Sequence, residues 1–136
     1  MSVLSDKATG VFAEMLNVME FELRKDKDGY YLTDLQGGNL GDIESDRFHS
    51  AAAIVDRLDV YIDDYYIRDL CDEATNIPFF QYLGLPATVT GWCNVMEEDD
   101  PSVQKFVSTY SHEFEVIQLI ERYIDLVDLE AVVVKE

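Results

Sequence analysis

Apolar residues recur at three- and four-residue steps along most of this chain and alternate over one short stretch near its start. Val11, Phe12, Met15, Leu16 and Met19 fall on one face of a first helix, which Ser5 is placed to cap and Gly10 weakens near its start. Glu20–Lys25 then alternates, with Phe21 and Leu23 on one side and Glu22 and Arg24 on the other. Asp26-Lys27-Asp28-Gly29 is turn chemistry, and Tyr30–Leu35 resumes with strand-forming residues, so a hairpin is expected. Gln36–Gly41 reads as a loop or a bulged strand end.

The strongest helical pattern spans Asp46–Glu73, where Ala51, Ile54, Val55, Leu58, Ile62 and Tyr65 repeat at helical spacing. Asp46 or Ser50 is placed to cap it, and Thr75-Asn76-Ile77-Pro78 ends it, because a residue before proline avoids the helical region. Ala87–Val95 is expected to be a strand. Asp100 and Pro101 set up a helix start, followed by an apolar stripe from Val103 to Val127. That stripe is one long helix, or two broken near Ser108–His112. The β-branched run Leu129–Val134 suits the closing strand of a sheet. The sum is one α+β domain over residues 1–136, a small antiparallel sheet packed against two long helices.

Composition supports a packed core: 48% of residues are hydrophobic, with 8 Tyr, 7 Phe and 1 Trp. Charge changes the picture more. The chain carries 28 acids against 10 bases, a net charge of -18, which opposes compaction and favours basic partners over nucleic acid or anionic membranes. Residues 31–136 hold 22 of the acids and 6 of the bases, so the excess lies beyond the hairpin's first strand. No signal-peptide pattern and no apolar run of membrane-spanning length is visible, and a cytoplasmic location is expected.

The residues of catalysis are sparse. Cys71 and Cys93 are too few for a disulfide framework and read as buried thiols. His112-Glu113 lacks the second histidine of a zinc-protease helix, and the glycines at 37–41 lack the Lys-Ser/Thr ending of a phosphate loop. Asp26–Gly29 and Asp42–Asp46 resemble calcium loops faintly. In the first the glycine comes too early; in the second Arg47 stands where glycine should turn the chain, and Ala53 where a bidentate glutamate should close the site. Neither an enzyme nor a metal or cofactor site is expected.

The acids do have geometry. Asp56, Asp59 and Asp63 fall three and four residues apart on the central helix, Asp64 lies beside them, and Asp69 with Glu73 continues the row. Neighbours at these steps have β-carbons about 5–6 Å apart, comparable to phosphate spacing along a nucleic-acid strand. Glu97, Glu98, Asp99 and Asp100 form a second cluster, and Glu113, Glu115, Glu121, Asp125, Asp128 and Glu130 a third. An ordinary solvated face mixes signs, whereas this one has a single sign. A salt-adapted source organism accounts for acidity without function, and the low lysine content fits that alternative.

In overall character the chain resembles the small acidic DNA-mimic inhibitors, the anti-restriction and anti-CRISPR proteins of phages and mobile elements. Residues 35–44 and 56–65 also look like small accessory proteins of bacterial conjugative elements. The first resemblance implies stoichiometric inhibition of a CRISPR effector nuclease or restriction system, with carboxylates standing in for phosphates in a Lys/Arg-lined groove. Asp56, Asp59, Asp63, Asp64, Asp69, Glu73 and Glu97–Asp100 are the expected partner-binding residues, with Tyr61 or Tyr66 as exposed anchors. The implied partner is a basic nucleic-acid-binding protein, with no direct contact to nucleic acid or membrane. Rival readings are an immunity protein or antitoxin against a basic toxin nuclease, a generic acidic interaction module, and an enzyme using Cys71, Cys93, His49 or His112.

Overall fold

The structure, a computed structural model, describes residues 3–35, 46–86 and 88–134. The glycine loop, most of the calcium-like stretch at 42–46 and nearly all of segment 35–44 lie outside the described residues. The fold is α+β, helices with a two-stranded antiparallel sheet. The chain divides into two compact units. The first is built from Met1–Leu58 and Tyr123–Glu136, the second from Asp59–Arg122 between them.

In the first unit, helix α1 (Val3–Val18) buries Ala8, Val11, Phe12, Met15 and Leu16, the face that periodicity marks. Ser5 lies inside α1 rather than capping it, and its hydroxyl donates to the Leu126 carbonyl at 2.7 Å. Strands β1 (Phe21–Asp26) and β2 (Gly29–Asp34) pair antiparallel with Leu23 opposite Leu32. Their two-residue turn needs Gly29 at φ +133°, and the Asp26 carboxylate accepts from the Asp28 N–H at 2.9 Å. Helix α2 (Ala51–Arg57) is capped by Ser50, whose hydroxyl accepts from the Ala53 N–H. Asp46 does not cap; it pairs with Arg57 at 2.7 Å.

The second unit opens with a helical run that is not a uniform α-helix. Helix α3 (Asp59–Ile62) passes into a π-helical turn at Asp63–Ile67 and then into α4 (Arg68–Ala74). The Arg68 N–H bonds the Asp63 carbonyl, five residues back. The cause is legible in the buried positions Ile62, Tyr66, Leu70 and Ala74, which are spaced by four. Residues four apart on an α-helix drift by about 40° per step, and a wider turn absorbs that drift. Tyr65, expected inside, is therefore 42% exposed, and Tyr66, expected as an exposed anchor, is buried.

Proline and threonine then set two short helices, α5 (Pro78–Leu83) and α6 (Val89–Val95), the latter capped by Thr88. Helix α6 replaces the strand expected over 87–95. The reason is burial: Trp92, Cys93 and Val95 face one core on a helical period, with the Trp92 ring centroid 5.8–6.3 Å from those of Phe80, Phe106 and Phe114. Helices α7 (Pro101–Thr109) and α8 (Ser111–Gln118) break at Tyr110, within the expected interval. A second π turn at Leu119–Tyr123 and a 3-10 turn at Ile124–Leu126 return the chain to the first unit. There, Leu129–Val132 is a short helix (α9) rather than a strand, and beyond it the Val134 N–H donates to the Leu23 carbonyl of β1 at 2.9 Å.

Candidate interaction surface

The two units treat their charges differently. The first holds 15 acids and 7 bases and ties four of its cations into ion pairs. Arg47 meets Asp26 at 2.8 Å while lying over the Tyr31 ring, Arg24 meets Glu22, Arg57 meets Asp46, and Lys25 meets Glu130, which also accepts from the Tyr30 hydroxyl. These partners hold the Asp26 and Glu130 carboxyls below their ordinary range, through hydrogen bonds from Arg47 and from Lys25 respectively. The second unit holds 13 acids and only 3 bases, a net charge of -10, so there most acids go unmatched.

Within the second unit, Asp59, Asp63, Asp64, Asp69, Asp72 and Glu73 are all exposed along α3, the π turn and α4. Arg68 is the one cation in that run, and it pairs with Asp64 at 2.8 Å. Among the described residues, Asp59, Asp63 and Asp69 enter no ion pair. Their mutual repulsion registers at Asp63, whose carboxyl is raised by partial desolvation and then by Asp59 and Asp64. Asp56, also exposed, belongs to the first unit, on α2.

Glu73 ends the run at a cleft of about 290 Å³, lined also by Ile77, Pro78, Lys105, Phe106 and Tyr110. Burial and the neighbouring Glu73 push the Tyr110 phenol up. The Glu97–Asp100 cluster is divided in role. Glu97 pairs with Arg122 at 2.7 Å, and Asp100 caps α7, accepting from Ser102 N–H at 2.9 Å and from the Ser102 hydroxyl. Those bonds hold the Asp100 carboxyl low. Glu98 and Asp99 stay exposed.

The other chemistry-bearing residues are dispersed. Cys71 is half-buried and Cys93 buried, and desolvation raises both thiols away from the reactive thiolate. His112 packs its ring 5.9 Å from that of Tyr66. Among the described residues no three His, Cys, Asp or Glu side chains group as metal ligands, and no helix is long and apolar enough to cross a membrane. Asp72 is a member of the exposed run that periodicity did not single out; its place beside Glu73 on the polar face is the signal that marks it. No protein-family model, curated protein or solved structure matches the chain.

Proposed function

We propose that the protein is a stoichiometric inhibitor of a nucleic-acid-binding enzyme, a CRISPR effector nuclease or a restriction system, and acts by presenting carboxylates where phosphates would lie. One observation carries this: six exposed acids follow one another from Asp59 to Glu73 with a single compensating cation, Arg68. Carboxylates on successive helical turns offer arginines in a basic groove charge-assisted, bidentate contacts. The field of the second unit steers such a groove toward it, and added salt weakens the encounter. Glu98 and Asp99 extend the acidic surface. The protein works in the cytoplasm, needs no cofactor and catalyses nothing itself; the raised thiols of Cys71 and Cys93 argue only against a cysteine nucleophile at those positions.

The test is capture of partners from cells carrying CRISPR and restriction systems, at low and high salt, with the wild-type chain and a variant carrying Asp59→Lys, Asp63→Lys and Asp69→Lys. The expected result is a nucleic-acid-binding enzyme retained at low salt, released at high salt and lost by the variant. Capture only of proteins lacking a basic groove, or equal capture by the variant, overturns the proposal.

A further inference from the structure

The second unit is not acidic everywhere. Helix α5 ends at Gly84, whose φ of +83° turns the chain sharply, and Leu85-Pro86 leads back to α6. Gly91 on α6 lets Pro86 lie close, since a Cβ there would stand 2.9 Å from the Pro86 Cβ. The result is a groove of about 300 Å³ whose lining includes Phe79, Phe80, Leu83, Leu85 and Val95, with Glu98 as its charged member. Leu83 is 73% exposed, Leu85 is 38% exposed, and Tyr82 beside them is 91% exposed. Large apolar side chains left in water together, rimmed by charge, mark a protein contact. Among the described residues the Glu98 carboxylate enters no ion pair, and Asp99 follows it.

We infer that this groove anchors a cationic amphipathic segment of a protein partner, an apolar side chain flanked by Arg or Lys, with Glu98 receiving the flanking cation. The inference rests on the proposed function, because it names the part of the basic partner that the same unit grips. Charge selects this occupant. A second copy of the chain brings a like field of -10 to the same face, and an anionic lipid surface or nucleic acid is repelled in the same way. A basic segment is attracted by the field, and its apolar residue fills the groove that carboxylates leave dry. The interface is then of two kinds: an acidic run that steers and weakens in salt, and an apolar anchor that persists in salt.

The experiment compares two probes on the full chain, an amphipathic leucine/arginine peptide and an oligoarginine of equal charge. The expected result is tighter binding of the leucine-bearing peptide, a residue of that binding at high salt, and amide shifts at Phe79, Phe80 and Val95. Leu83→Asp, at an exposed position, lowers its affinity about tenfold and does not weaken oligoarginine binding; Leu85→Ser provides a second, milder variant that leaves the charge unchanged. Equal binding of the two peptides, or no effect of either variant, overturns the inference. Self-association that Leu83→Asp abolishes, or binding to phosphatidylcholine vesicles, overturns it in favour of a second copy or a membrane. Oligoarginine binding that survives Asp59→Lys, Asp63→Lys and Asp69→Lys unaltered counts against the acidic-run reading alone, so the two failures are distinct.

Discussion

Arg68 reaches back one helical turn to Asp64, Nη2 to Oδ1 at 2.8 Å, and among the described residues this contact is the one ion pair within the run from Asp59 to Glu73. Both side chains are well exposed, so the pair holds little energy by itself. Its importance is as a limit on neutralisation: one charge is matched and the neighbouring carboxylates repel one another.

Arg68→Gln is therefore expected to cost about 0.3–0.5 kcal/mol from the lost i,i+4 pair, with added repulsion at low salt. Urea denaturation at low and high salt checks this, and the difference from wild type should shrink as salt rises. The same variant should associate faster with a basic partner, because it removes a cation from the steering field.

Asp63 sets a pH dependence of known sign. Its folded carboxyl is raised, so the native state holds that proton more tightly than the unfolded chain does. Its contribution is unfavourable at neutral pH, and stability gains as pH falls through the folded value. Asp63→Asn should be more stable than wild type at neutral pH, and the advantage should fade as pH drops into the ordinary carboxylate range. Asp26 and Glu130 act in the opposite sense: their lowered carboxyls contribute stability at neutral pH that is lost as pH falls through their folded values. Urea midpoints for wild type and Asp63→Asn across that range separate the two effects.

Tyr65 and Tyr66 are neighbours with opposite fates. Tyr66→Ala empties a buried site and should cost about 3–5 kcal/mol, as aromatic truncations in cores do. Tyr65→Ala, at an exposed position, should stay within about 0.5 kcal/mol. Equal losses would mean that the π turn does not set which ring points inward.

Asp100→Ala removes the cap of α7 and should lower stability by about 1 kcal/mol, with Asn at that position restoring most of it. Thermal melts of the three proteins read the effect. Since its carboxylate is committed to Ser102 and Val103, the alanine variant should bind a basic partner nearly as well as wild type.

Local chemistry was readable without coordinates. The hairpin turn at Asp26–Gly29, the stop before Pro78 and the Asp100-Pro101 start all follow from residues within a few positions of one another, whereas the choice of Ser50 over Asp46 as cap and of two helices over one at Tyr110 came from the structure. Helix α6 was not readable in this way. Its β-branched and aromatic residues favour a strand, but Trp92 meets Phe106 and Phe114 only if Val89–Val95 coils. The π turn left a trace, the four-residue spacing of Ile62, Tyr66, Leu70 and Ala74, which a search for three-and-four steps reads as ordinary helix.

The sequence by itself determined the sign and size of the charge, the hairpin, the helix stop before Pro78 and the helix start at Asp100-Pro101, because these depend on residue identity and near neighbours. The tertiary structure decided where the charge remains unmatched. Packing brings Lys25 to Glu130 and Arg47 to Asp26 in the first unit, while the second keeps three cations for thirteen acids. It also decided that Tyr66 turns inward and that Leu83 stays in water, since burial depends on contacts between residues that lie far apart along the chain.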